Sequence, residues 1–210
     1  MIDILFEDKD ILVCIKPAGY LSEDTASEKS LPRAIAEERE IETLFAVHRL
    51  DREVSGVMVY AKSKTAAAKL SAQVADRSFE KEYLAVLEGA PELDEATLSD
   101  LLFKDSRKNK SFVVDRKRAG VKEASLSYKT VTKNADRSLV RVRLHTGRTH
   151  QIRVQFASRK NPVLGDGKYG SSVRDTEIAL ASCMIKFKHP RTNKELSFSY
   201  EPKGDWWRII

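Results

Sequence analysis

Short apolar runs that end at turn-forming residues constrain the fold of this sequence most. Ile11–Ile15 and Val57–Ala61 contain no charged or amide side chain, and Lys16-Pro17-Ala18-Gly19 ends the first run. Runs of this length suit strands that are covered on both faces. They are much shorter than the roughly 20 apolar residues that span a bilayer. The sequence therefore predicts a globular protein built around buried strands, with no membrane association.

Other patterns place further strands and helices. Val140, Val142 and Leu144 alternate with Arg141, Arg143 and His145, which predicts a half-buried strand with a basic open face. Capping residues and apolar spacing predict three helices. The helices are expected from Ser30 to about Glu40, from Ser63 to about Arg77, and from about Thr149 onward. The remaining predicted strands are Ile4–Phe6 paired with Ile11–Ile15, Glu82–Leu87, and a last hairpin of Met184–Lys188 with Glu195–Tyr200.

Many strands and a few helices that do not alternate strictly predict an α+β fold. We expect a central, mainly antiparallel mixed sheet flanked by helices. Because no repeat or Gly/Ser linker interrupts the chain, residues 1–210 are expected to form a single domain. The N-terminal residues do not resemble a signal peptide. Cys14 and Cys183 stand alone, so we expect two reduced thiols in a cytoplasmic protein.

The charge balance is compatible with a polyanionic partner. The chain has 37 Lys and Arg against 31 Asp and Glu, a net charge of +6. Basic side chains that contact phosphates release counterions and so favour nucleic-acid binding, although charge alone does not establish it. A basic cluster from Lys104 to Lys122 predicts a mobile excursion, which is either a solvated loop or a clamp for RNA.

Three segments carry the functional interpretation. They are His48–Gly56, which begins His-Arg-Leu-Asp, Lys81–Ala85, and Thr146–Val154. In this order they resemble the RluA-type pseudouridine synthases. The turn Lys16–Gly19 and the run Pro162–Asp166 add to the likeness, which extends over nearly the whole chain. Two positions depart from the family pattern, with Val54 in place of Thr and Gln155 in place of His.

The resemblance implies a fold in which RNA lies in a basic cleft across the sheet. It places the family's nucleophilic carboxylate on Asp51, its active-site tyrosine on Tyr83, and the arginine that pairs with the carboxylate on Arg153. Arg49 corresponds to the side chain that enters the space left by the flipped nucleotide. Further substrate contacts are expected from His48, Arg148, His150 and Gln151.

These residue types suit the isomerisation of uridine to pseudouridine. The reaction breaks the N1–C1′ bond and joins C5 to C1′ within one nucleotide. It is redox-neutral and releases no group, so we expect no cofactor and no metal. A carboxylate can bond covalently to the sugar or steer a sugar intermediate, and an adjacent arginine keeps it ionised. A tyrosine can stack on the base and help to remove the C5 proton. The base must leave the helical stack to be reached.

Each site residue also has a simpler interpretation. Asp51 could be a turn former, Tyr83 a core residue, and Arg153 or Arg148 an exposed helix residue. His145 and His150 lack a neighbouring carboxylate that would complete a metal site. The alternatives to a synthase are a catalytically silent RNA-binding or assembly protein on the same fold, and a glycoside hydrolase, which would need a second carboxylate. We expect a monomer that acts on rRNA or tRNA.

Overall fold

The computed structural model describes residues 1–25, 29–174, 176–204 and 207. The contacts between residues divide the chain into two compact units. The first unit contains residues 1–81 and 181–202, and the second contains residues 82–180 with the described residues beyond 202. None of the helices in these described ranges is both long and apolar enough to cross a membrane.

The first unit is built on a mixed sheet. Antiparallel pairing joins β1 (Ile4–Glu7) to β2 (Ile11–Lys16) and β2 to β4 (Ser55–Ala61). Strand β3 (Phe45–Ala46) also pairs with β4. Strand β10 (Leu180–Lys188) runs parallel to β4 and forms the last hairpin with β11 (Glu195–Ser199). Both predicted hairpins are confirmed.

The first unit also contains two capped helices. In α1 (Leu31–Arg39) the hydroxyl of Ser30 accepts from Arg33 N–H, and in α2 (Lys64–Ala75) that of Ser63 accepts from Ala66 N–H. Each cap satisfies a backbone donor that the first helical turn leaves open. Leu70 of α2 packs with the apolar side chains of β2 and β4 in one buried cluster. Both predicted helices of this unit are confirmed.

In its described residues the second unit is an antiparallel sheet with one α-helix. Its strands are β5 (Glu80–Glu88), β9 (Arg137–Leu144), β8 (Val121–Lys133), β6 (Glu95–Asp105) and β7 (Lys110–Val114), in that spatial order. Helix α3 (Gln151–Ala157) follows the N-cap residue His150, which has a left-handed backbone with φ of 53°. Residues Gly167–Tyr169 form a 3₁₀ turn within the predicted loop. The α+β class with a mainly antiparallel mixed sheet is confirmed, and the single-domain assignment stays a prediction.

The basic segment Lys104–Lys122 is not a mobile excursion, and that prediction was wrong. Its middle forms β7, which pairs with β6 from Leu101↔Val114 to Asp105↔Lys110. The charged residues are tolerated because they lie in turns or on the open face of an antiparallel sheet. Strand β8 was also missed, although its inward residues Ala124, Leu126 and Tyr128 have the two-residue period of a strand.

Strand β9 has the basic open face that the alternation predicted. Val140 and Val142 are buried, whereas Arg141 and Arg143 are exposed. Both arginines line a cleft of about 400 Å³ on the second unit. Arg141 forms an ion pair of 3.2 Å with Glu82 on β5, so part of this positive charge is compensated within the cleft.

Candidate active site

Asp51 lies half-buried in a tight turn that leads into β4. Its carbonyl accepts from Val54 N–H at 3.1 Å, which closes the turn. The side chain of Val54 is buried, with 2% of its surface exposed, so it packs in the core beneath the turn. The turn that carries Asp51 is therefore closed by a backbone bond and anchored in the core through Val54.

The Lys16–Gly19 turn fixes the backbone immediately after Asp51. The carbonyl of Arg52 accepts from Gly19 N–H at 2.8 Å and from Lys16 Nζ at 3.0 Å. Gly19 has φ of 87°, a left-handed conformation that glycine adopts without steric cost. The Lys16–Gly19 turn, which in the sequence ended a strand and added to the family resemblance, thus holds the peptide next to the candidate nucleophile.

Lys16 is fully buried with its ammonium beside this turn, and its second hydrogen bond goes to Pro17 O at 3.0 Å. Burial lowers the pKa of Lys16 to about 8, and attraction to Glu53 and Asp51 opposes that fall. The lysine therefore adds a positive charge near the carboxylate of Asp51.

Ser22 fixes the backbone immediately before Asp51. Its Oγ donates to Leu50 O at 2.8 Å and accepts from Leu50 N–H at 3.0 Å. Asp51 is therefore held between two residues whose backbone groups are both bonded to a segment about 30 positions earlier in the chain. The two contacts limit the movement of the turn from either side.

His48 was predicted to contact substrate, but its side chain lies in the core. It is 5% exposed, packs against Phe79 at 5.2 Å between ring centroids, and accepts Val59 N–H at Nε2. Burial, together with a smaller effect of the charge of Lys81, lowers its pKa to about 3. Through its bond from Val59 N–H the imidazole anchors the start of the motif to β4, and its predicted contact with substrate stays a prediction.

The glycine that ends the motif is required by close packing. Gly56 has φ of 124°, and a Cβ at this position would overlap the backbone of Ser182 on β10. Any side chain would therefore force β4 and β10 apart. This explains the glycine of the motif without assigning it a chemical role.

Arg49 is the most accessible of the predicted substrate-binding residues of the first unit. Its side chain is 62% exposed and forms an ion pair with Glu23 at 2.9 Å. An exposed pair of this kind contributes little to stability and separates easily. The position is compatible with a side chain that moves when nucleic acid binds.

Tyr83 lies in the second unit, on β5. It is 5% exposed and sits opposite Val142 of β9, on the buried face of the sheet. Tyr83, Ala85 and Leu87 occupy alternate, buried positions of β5, which is the pattern of a core strand. This agrees with the simpler interpretation of Tyr83 as a core residue.

Arg153 lies on α3 and is not an exposed helix residue. Its Nε and Nη2 donate to the two carboxylate oxygens of Asp166 at 2.6 and 2.9 Å, and both side chains are almost fully buried. The guanidinium also lies 5.3 Å from the ring centroid of Tyr169. This bidentate pair holds the plane of the arginine in one orientation. Its predicted pairing with Asp51 involves a residue of the other unit and stays a prediction.

The remaining residues of the third motif divide into buried and exposed. His150 is buried with Nδ1 at 3.0 Å from the hydroxyl of Tyr169, and Gln151 is buried with Oε1 accepting from Thr146 Oγ1 and Arg148 N–H. These contacts organise the entry to α3, and direct substrate contact by His150 and Gln151 stays a prediction. Arg148 is exposed and donates through Nε to Glu123 O, which leaves it accessible to RNA.

Asp8, Asp10 and His189 are the group of possible metal ligands found among the described residues. Asp8 Oδ1 accepts from two backbone N–H groups, and Asp8 Oδ2 lies 2.9 Å from His189 Nε2. Asp10 pairs with Arg191 at 2.6 Å, and His189 Nδ1 accepts from two backbone N–H groups. These bonds account for the ligand atoms, and the cluster joins two hairpins of the first unit.

The sequence interpretation missed Ser22, Tyr60 and Asp166 as residues that support the site. Tyr60 was visible only as part of an apolar run, and Asp166 only as the end of the run Pro162–Asp166, without a role of its own. Ser22 lies in a polar segment with no local pattern, so no sequence signal identified it. All three act through hydrogen bonds to residues that are distant in sequence.

The chain matches known proteins over most of its length. Residues 10–158 match the family described as RNA pseudouridylate synthase. Ribosomal large subunit pseudouridine synthase D of Zymomonas mobilis is 32% identical over 224 residues, covering 97% of this chain and 70% of that protein. An uncharacterized RNA pseudouridine synthase of Aquifex aeolicus is 36% identical over 225 residues, covering 98% and 67%.

The structural comparison agrees in fold. Human RNA Pseudouridylate Synthase Domain Containing 4 has a TM-score of 0.78 at 22% identity, covering 95% of this chain and 88% of that one. The chain spans 65% of the length of an uncharacterized RNA pseudouridine synthase of Mycoplasma pneumoniae, to which it is 34% identical.

Proposed function

Because the chain belongs to the RNA pseudouridylate synthase family, we propose that it isomerises uridines in RNA to pseudouridine. The N1–C1′ bond breaks, the uracil turns, and C5 bonds to C1′. The proton that leaves C5 is balanced by one gained at N1, so the reaction needs no oxidant or reductant. Enzymes of this kind are isomerases.

We assign the chemistry to three side chains. Asp51 supplies the carboxylate at the junction of sugar and base, either as a nucleophile or by steering a sugar intermediate. Arg153 orients that carboxylate and keeps it ionised. Tyr83 stacks on the base and assists removal of the C5 proton. Arg49 fills the space that the extruded nucleotide leaves, and Arg148 contacts the RNA backbone.

The observation that carries this proposal is the fixed position of Asp51. A turn former on the surface needs no fixed side-chain direction, whereas a carboxylate that reacts at a sugar carbon does. The backbone on both sides of Asp51 is bonded to buried or glycine residues of the segment 16–22. The two supports favour a catalytic role over that of a simple turn.

The substrate class follows from charge and from the relatives. The net charge of +6 and the exposed arginines of β9 suit a polyanion. Relatives from Zymomonas mobilis and Vibrio cholerae are named ribosomal large subunit pseudouridine synthase D. Ribosomal RNA is therefore the first substrate to test and tRNA the second. We also infer that the protein works in the cytoplasm as a monomer, without an obligate protein partner.

Asp51→Asn tests the proposal. The substitution keeps the size of the side chain and removes its charge, so the variant should fold and bind RNA but form no pseudouridine. Tritium release from RNA labelled at C5 of uridine measures the reaction, and mapping of pseudouridines in RNA from cells with and without the gene identifies the sites. Normal turnover by Asp51→Asn would contradict the mechanism.

The second candidate is an RNA-binding protein of the same fold that has lost catalysis. The same assay separates the two, because a silent protein releases no tritium from any RNA while still binding it. The presence of Asp51 favours the enzyme, since a protein that only binds RNA has no need for a carboxylate facing phosphates.

A further inference from the structure

We propose that Ser22 is a positioning residue for the reaction, because its hydroxyl sets the backbone that carries the Asp51 carboxylate. The proposal rests on the catalytic role of Asp51 given above. Ser22 does not touch the reacting atoms in this account, and it acts through the neighbouring residue Leu50.

One hydroxyl satisfies both backbone polar groups of Leu50. Ser22 Oγ donates to Leu50 O at 2.8 Å and accepts from Leu50 N–H at 3.0 Å, and both residues are buried. In a sheet these two bonds would come from an adjacent strand. Here a single side chain supplies them, so the peptides leading into Asp51 depend on one oxygen atom.

A buried tyrosine holds Ser22 in turn. Tyr60 on β4 is fully buried, and its hydroxyl donates to Ser22 O at 2.9 Å. The turn that carries Asp51 leads directly into β4, so Tyr60 and Leu50 belong to the same continuous segment. Ser22 therefore links Tyr60 on β4 to Leu50, which lies just before the turn that leads into β4.

Loss of the Ser22 hydroxyl would leave the N–H and C=O of Leu50 without these partners in a buried position. Buried backbone groups of this kind are nearly always hydrogen-bonded, so the turn would shift until other partners or water reach them. A displacement of about 1 Å at a reacting group can reduce a rate by about a hundredfold. The effect should fall on the chemical step and leave RNA binding unchanged.

Ser22→Ala is the test, with Ser138→Ala as its matched control. Ser138 is also fully buried, and its Oγ donates to a backbone carbonyl, that of Gly89, at the same 2.8 Å. It lies in the second unit and outside the motifs. Both variants are compared with wild type in single-turnover tritium release at saturating enzyme, in RNA affinity by filter binding, and in hydrogen exchange of the Leu50 amide.

We expect Ser22→Ala to reduce the single-turnover rate by about tenfold to a hundredfold, with unchanged RNA affinity and faster exchange at Leu50. Ser138→Ala should keep the wild-type single-turnover rate and the wild-type hydrogen exchange of the Leu50 amide. A wild-type rate for Ser22→Ala, or equal losses in both variants, would overturn the positioning role. If Ser22→Ala does not fold, Tyr60→Phe replaces it and should lower the rate and the protection of Leu50 in the same way.

Failure of the proposed function gives a different result. Wild-type protein that binds RNA but releases no tritium would refute the synthase assignment, and with it the catalytic consequence assigned to Ser22. An active wild type with an equally active Ser22→Ala would refute only the role of Ser22.

Discussion

Lys16→Met should remove a dependence of stability on pH that the wild-type protein shows. Burial lowers the pKa of Lys16 in the folded protein from 10.5 to about 8. Below pH 8 the lysine is charged in both the folded and unfolded states, and the folded state bears the full cost of its burial. As pH rises above 8 the folded state loses the proton first, so the unfolded chain binds more protons and stability rises.

The expected magnitude follows from the two pKa values. Their difference corresponds to about 3.4 kcal/mol at full titration. Between pH 7 and pH 9.5 the linkage relation gives the wild type a gain of about 2 kcal/mol from this one group. The methionine variant has no such gain. It also lacks the donor to Pro17 O, whereas Arg52 O keeps its bond from Gly19 N–H.

Urea denaturation of wild type and Lys16→Met across this pH range measures the effect as the difference between their free energies of unfolding. That difference should move by about 2 kcal/mol in favour of the wild type as pH rises. Lys69→Met, at an exposed position on α2, is the control and should follow the wild-type curve. Parallel curves for wild type and Lys16→Met would refute the argument that burial controls the charge of Lys16.

Two further predictions concern turnover and RNA binding. Arg153→Lys keeps the charge but cannot make the bidentate contact, so the single-turnover rate should fall about tenfold to a thousandfold, or roughly 1.4 to 4 kcal/mol. The exposed Arg148→Lys is its control, and a larger loss there would show that the wrong arginine was assigned. Changing Arg107, Lys108 and Lys110 together to Gln should flatten the salt dependence of RNA affinity by roughly 0.7 per lost phosphate contact. An unchanged slope would leave this segment without a role in binding.

Local signals were sufficient for much of the fold. The caps at Ser30 and Ser63, the apolar run of β4 and the two hairpins of the first unit each depend on residues close together in sequence. Their physics is local, because a capping bond or a tight hairpin forms between near neighbours. The strands β6 to β8 were missed because their outward-facing charged residues conceal the two-residue period of the inward-facing ones.

The motif identified Asp51 as the candidate nucleophile and indicated the family. Only the tertiary structure revealed the surroundings of each motif residue. His48 and Gln151 have side chains that could bind RNA, yet packing encloses both of them.

The sequence by itself determined the capped helices and the two hairpins of the first unit, and it identified the carboxylate that is the candidate nucleophile. The structure decided that Ser22 and Lys16 hold the turn around Asp51, and that Asp166 orients Arg153. Each of these contacts joins residues 13 to 36 positions apart. Such hydrogen bonds depend on which strands and loops are brought together by burial of the whole core, and no pattern within a short window of sequence records that outcome.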